Sequence, residues 1–169
     1  METIKNKIPD DVRQFLNNLK HYLELPIYYH GSCQRLDYIE GSDIDMCIFT
    51  HNESSTITKL VNYFEINKKK VYKTVHYINN EKLVFGNKIN YYKLSIPLEL
   101  IVYNIKDKPY MLQHCISNIQ IPIYISTLLL IVKYFYYKFK ILDYTTYTNI
   151  KNKLIFYAMG KHEGIFIKI

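Results

Sequence analysis

The chain has 169 residues, enough for one domain with a hydrophobic core. Its net charge of +7 makes polyanionic partners an expectation, although the Lys, Asn, Ile and Tyr that dominate it are also what an A/T-rich genome supplies. Cys33, Cys47 and Cys115 give no paired framework and no Cys-x-x-Cys spacing, which argues against a disulfide scaffold and for a reducing, cytoplasmic or otherwise intracellular setting. No apolar leader follows the first lysines, and the longest apolar run, residues 121–132, falls well short of the roughly 20 residues of a membrane span, so no membrane partner is expected.

From Pro9, PDDVRQFLNNLKHYLEL sets Val12, Phe15, Leu16, Leu19, Tyr22 and Leu23 at helical spacing, with Asp10 or Asp11 suited to cap the start and Pro26 closing the segment. IYYHGS reads as a short strand ending at Gly31. DIDMCIF reads as a second, with Asp43, Asp45 and Cys47 on one face and Ile44, Met46 and Ile48 on the other. NESST offers caps for a helix whose stripe is Ile57, Leu60, Val61 and Phe64, ended by three lysines at 68–70. Residues 71–78 and 82–96 are rich in Val, Ile, Tyr and Lys, and Gly86-Asn87 predicts a hairpin turn between strands. LELIVYN after Pro97 is a further strand. Helices are expected over 110–118, 122–142 and 149–158. This order describes one α+β domain, with an α/β core over 1–108 and a helical tail over 109–169 packed on it.

Two carboxylates two residues apart on a strand lie about 6 to 7 Å apart on one face, where they repel unless cations sit between them. Magnesium answers that need, because it takes carboxylate oxygens together with substrate phosphates; paired ions can activate a hydroxyl and neutralise a leaving pyrophosphate. A third carboxylate is expected on a neighbouring strand, and Glu99, flanked by Leu98, Leu100, Ile101 and Val102, is an acidic residue with no other evident reason to be there. The Gly31-Ser32 turn suits triphosphate oxygens, through close backbone approach and a hydroxyl donor.

The Gly-Ser of YYHGS, the Asp-x-Asp of SDIDMCIF ten residues further on and the single acid of LELIV together resemble the nucleotidyltransferase superfamily typified by DNA polymerase beta, poly(A) polymerases and the small antitoxin-type enzymes. The resemblance covers residues 27–103. It implies a polymerase-beta-like palm with a mixed sheet, flanking helices and a short C-terminal helical segment. It also implies transfer of a nucleoside monophosphate from a nucleoside triphosphate such as ATP to a hydroxyl acceptor, with two Mg2+ ions, or Mn2+, as cofactors. Gly31 and Ser32 would hold the triphosphate, Asp43 and Asp45 both metals, and Glu99 one of them. The third acid is more often Asp in that family, and the loop CQRLDYIEG lacks a mid-loop glycine, leaving Gly41 for the turn.

Arg35, just after the Gly-Ser turn, and Lys133, inside LLLIVKYFYYK, are further nucleotide-binding candidates. The alternative for Arg35 is simple solvation, and for Lys133 a stem snorkelling from the helix surface. His30 with Cys33 and Cys47 matches no zinc spacing and reads as an ordinary histidine, and Tyr134, Tyr136 and Tyr137 read as packing residues. The basic balance favours an RNA or DNA 3' end as acceptor. The alternatives are a compact repair polymerase, since GSCQR loosely resembles a Gly-Ser-x-Arg-Arg turn, an enzyme that adenylylates a protein partner, and a non-catalytic scaffold.

Overall fold

The computed structural model describes residues 1–78, 82–160 and 167–168. Its first helix, α1 (Asp10–Leu23), buries Val12, Leu16, Leu19 and Leu23 of the expected stripe, with Phe15 packed partly buried against them, whereas Tyr22 is exposed. Neither Asp10 nor Asp11 caps it. Pro9 occupies the cap position without a side-chain hydrogen bond, and the two aspartates sit in the first turn, where they meet the positive end of the helix dipole. Glu24, in a left-handed conformation, ends the helix two residues before Pro26.

Among the described residues six strands form one sheet: β1 (Ile27–His30), β2 (Ile44–Thr50), β3 (Val71–Ile78), β4 (Lys82–Tyr91), β5 (Leu98–Asn104) and β6 (Ile167–Lys168), in the order β1-β2-β5-β4-β3-β6. β2 and β5 run parallel, whereas the other described neighbours are antiparallel, so the sheet is mixed. The helix α2 (Glu53–Phe64), capped by Asn52 accepting from Ser55 N, supplies the crossover out of β2.

Period-two alternation along β2 decides which helices cover which face. Ile44, Met46 and Ile48 enter the larger core with Leu98, Leu100 and Val102 of β5 and the apolar stripes of α1 and α2. Cys47 and Phe49 face the other way, with Ile101 and Tyr103 of β5 and with Met111 and Cys115 of α3 (Lys108–Ile119). A third cluster joins α4 (Ile123–Lys133) and α5 (Tyr144–Ala158) through Ile125, Leu129 and Ile155. No single helix among the described residues is long and apolar enough to cross a membrane.

Three expectations about element boundaries change. Gly86 is not a turn but a mid-strand residue of β4, opposite Thr74 and Tyr103. A Cβ at Gly86 would lie 2.6 Å from the Tyr103 ring and 2.7 Å from Ile101, so the glycine makes room for a large cross-strand neighbour. The β3–β4 connection falls at 79–81, outside the described residues. The helix expected over 122–142 stops at Lys133 and widens into a π-helical turn, Tyr134–Lys138. The last helix begins earlier than expected, because Asp143 caps it through Thr146 N. Tyr136 stacks on Tyr147 with ring centroids 4.3 Å apart, and Tyr137 meets Tyr147 edge-on, so both are packing residues as expected.

Candidate functional site

At the end of β1 the chain turns through one tight 3-10 turn, Gly31–Gln34. Gly31 has φ +66°, and a Cβ there would collide with the Asp45 carboxylate, so glycine is required by conformation and by space. The N-terminal segment fixes this turn from outside. Asn6 donates to the carbonyls of Cys33 and Arg35, each at 2.9 Å, and Gln34 donates to the carbonyl of Thr3 at 2.6 Å.

Strand register then assembles the acids. His30 is opposite Asp45 on the antiparallel side, and Asp45 is opposite Glu99 on the parallel side. Asp43 lies just before β2, and ligand oxygens of Asp43, Asp45 and Glu99 come within 4.8 Å of one another. The expectation that LELIVYN pairs beside DIDMCIF, bringing an acid from 54 residues beyond Asp45 to the same point, is therefore met in the geometry. Burial, followed by the charges of Asp43 and Glu99, pushes the Asp45 carboxyl well above the usual carboxylate range.

Two lysines that the sequence reading did not single out face these acids. Lys88 of β4 pairs with Glu99 at 2.6 Å. Lys151 of α5 is half-buried; burial acts to lower its pKa, but the carboxylates of Asp45 and Asp43 outweigh it and raise the pKa. Cross-strand placement could have suggested Lys88 once β4 was aligned on β5, where Asn90 is opposite Glu99. No local signal marks Lys151, which is brought in by the packing of α5. Gly31, Ser32, Asp45, Glu99, Lys133 and Lys151 line a common cavity of about 180 Å³. An oxygen-only trio in which three carboxylates face two ammonium groups fits a hard divalent cation such as magnesium or manganese.

Arg35 and Lys133 are held in a separate network. Arg35 forks onto Asp37, with Nε donating to Oδ1 at 2.7 Å and Nη2 to Oδ2 at 3.0 Å, while Nη1 donates to Asn118. Lys133 Nζ donates to the Asp37 carbonyl at 2.9 Å and to Ser42 Oγ at 3.1 Å, and lies 3.2 Å from Asp37 Oδ2. Lys133 is 3% exposed and Arg35 6%, which rules out snorkelling for the first and simple solvation for the second. Burial acts to raise the Asp37 pKa, but Arg35 and then Lys133 outweigh it and hold the carboxyl below its usual range. The network ties residues 35–42, which lead into Asp43, to α3 and α4.

His30 does not group with Cys33, whose thiol instead donates to the His30 carbonyl at 2.9 Å. Its imidazole lies with Cys47 and Cys115. Burial, followed by the neighbouring charges of His114, His76 and Arg35, lowers its pKa to about 3, so the ring is neutral at physiological pH.

A sequence model of the nucleotidyltransferase domain matches residues 12–108, more than half of the chain and the span from α1 to the first residue of α3. No curated protein matches the chain.

Proposed function

The chain belongs to the nucleotidyltransferase domain family, and from that premise we propose that it transfers a nucleoside monophosphate from a nucleoside triphosphate to the hydroxyl at a nucleic-acid 3' end, releasing pyrophosphate. The observation that carries this reading is the register that sets Asp45 opposite Glu99, with Asp43 completing a trio within 4.8 Å. Asp43 and Asp45 would hold two divalent ions and Glu99 would complete one site; such ions lower the pKa of the attacking hydroxyl and neutralise the leaving pyrophosphate.

The protein's own groups do the positioning. Gly31 lets the backbone approach the triphosphate, and Ser32, lining the same cavity, supplies a hydroxyl donor. Arg35 and Lys133 remain bound to Asp37 and add positive field from the cavity wall. Lys151 faces the carboxylates and can move to a phosphate oxygen once cations occupy the acidic trio. Lys88, bound to Glu99, holds that carboxylate on the cavity side of β5. Catalysis of this kind is positioning and charge neutralisation, with no covalent intermediate on the protein.

A nucleic-acid acceptor is supported by a cleft of about 700 Å³ beside the acids. Lys70, Lys73, Lys88 and Lys93 line it together with Tyr72 and Tyr92, a combination of phosphate-binding cations and rings on which bases can stack. Lys88 reaches from this cleft to Glu99, and Asn152 lines both cavities, so a strand lying in the cleft would end near the acidic trio. The test is binding of a short unstructured RNA or DNA oligonucleotide across a salt series, followed by extension at low salt with an α-labelled triphosphate. Affinity should fall with a log-log slope of about −0.7 per phosphate neutralised, and label should move onto the oligonucleotide. Salt-insensitive or absent binding, with label on a protein, would replace this acceptor with a protein one.

A further inference from the structure

On the face of the sheet covered by α3, and next to the acidic trio, three ligand atoms of a different kind converge: an imidazole nitrogen of His30 and the sulfurs of Cys47 and Cys115, all within 4.8 Å of one another. They come from β1, β2 and α3, so strand register and helix docking create the group, and no spacing in the sequence announces it. We propose that His30, Cys47 and Cys115 form a second metal site, which takes one zinc ion and pins α3 to the sheet behind the acidic site.

The donor chemistry separates this site from its neighbour. Two thiols and an imidazole suit zinc, whereas magnesium requires oxygen ligands. With Zn–S near 2.3 Å and Zn–N near 2.0 Å, the tetrahedral S–S and S–N pairs stand about 3.5 to 3.8 Å apart, so side-chain adjustments of about 1 Å close the site. Charge balance also fits burial. The ion displaces one proton from each thiol to solvent, and two thiolates, a neutral imidazole and Zn2+ sum to zero, which avoids a net charge between sheet and helix.

Access is available as well. His30 and Cys115 line the cavity of about 180 Å³ that also reaches Glu99 and His114, giving the ion a path and its fourth position a place for solvent or a further donor. The consequence for the neighbouring site follows from chain connectivity. His30 directly precedes Gly31, and Cys47 is two residues beyond Asp45 on the same strand face, so an ion here would fix both the phosphate turn and one carboxylate against α3.

The test uses the full chain, reduced, stripped of metal and supplied with excess Mg2+ to occupy the oxygen site. Titration with Co2+ should give thiolate-to-cobalt charge-transfer absorption saturating at one equivalent. That signal should survive Cys33→Ser and Asp43→Asn and be lost in Cys115→Ser. X-ray absorption of the zinc-loaded wild-type protein, which needs no variant to fold, should show two sulfur neighbours at about 2.3 Å and imidazole scattering. A shell of oxygen and nitrogen alone, or a cobalt signal unchanged by Cys115→Ser, would overturn the proposal. Because both readouts report ligands rather than turnover, they stand or fall separately from nucleotidyl transfer.

Discussion

Two clusters of charge lie on either side of Ser42, one buried and one half-buried, and they are built on opposite plans. Asp37 faces two cations, Arg35 and Lys133, and their nitrogen-to-oxygen contacts close the group on itself, on the neighbouring backbone, on Ser42 and on Asn118. Asp43, Asp45 and Glu99 bring three carboxylates together against Lys88 and Lys151, and Asp45 and Glu99 stand at the wall of a cavity. A closed pair with its hydrogen bonds satisfied holds structure in place. An anionic excess open to a cavity is an arrangement that favours bound cations and is strained without them.

Removing the anion from the closed cluster should have the largest effect on stability. Asp37→Ala leaves two buried cations without a partner, and the expected cost is about 3 to 5 kcal/mol, read as a shift in the denaturant midpoint. If the variant unfolds at the wild-type midpoint, the closed cluster is not structural and the contrast between the two fails.

The Gly-Ser turn offers a smaller effect confined to ligand binding. Ser32→Ala should weaken triphosphate affinity by about 1 to 3 kcal/mol, the range for a hydrogen bond to a charged group, and leave unfolding unchanged. Calorimetric titration with a non-hydrolysable triphosphate and Mg2+ checks this; unchanged affinity would remove Ser32 from the phosphate site.

The two clusters should also differ in the sign of their pH dependence, which is the subtlest of these effects. The Asp37 pKa is lowered in the folded protein, so its contribution is present above the unfolded carboxylate pKa and is lost as pH falls through the folded value, below the usual carboxylate range. The Asp45 pKa is raised, so the folded protein binds more protons than the unfolded chain between the two values. The metal-free protein should therefore gain stability as pH falls from above the folded Asp45 pKa toward the ordinary carboxylate range. Asp45→Asn should abolish that gain and match or exceed wild-type stability at the high end, in melts recorded with chelator present. A wild-type curve that is flat across this window would show that the acidic trio carries no strain.

Local patterns revealed the stripes of α1 and α2, the alternation of β2 and the pairing of an Asp-x-Asp strand with a later acidic strand, because each depends on residues a few positions apart or on an acid with no apolar explanation. What stayed hidden depends on contacts over long separations. Gly86 reads as a turn until Tyr103 is found opposite it. Lys133 reads as a nucleotide-binding candidate or a stem snorkelling from its helix until Asp37, nearly a hundred positions earlier, is placed beside it. Lys151 and Asn6 carry no local signature, since the packing of α5 and of the N-terminal segment brings them to the site. Cys115 likewise joins His30 and Cys47 only through the docking of α3, so a spacing-based search for a zinc motif passes over the group.

The central claim, that the open acidic cluster is the catalytic one, is tested most directly by transfer from an α-phosphate-labelled nucleoside triphosphate in the presence of Mg2+, comparing wild type with Asp45→Asn. Each of the four nucleotides is offered with RNA, DNA and protein acceptors, and circular dichroism confirms that the variant is folded. Label should appear on an acceptor only when metal is present, with one pyrophosphate released per label transferred, and fall by about 100-fold or more in the variant, the scale of removing one preorganised electrostatic contact. Equal transfer by both proteins, or no transfer by the wild type with any acceptor, would contradict the claim.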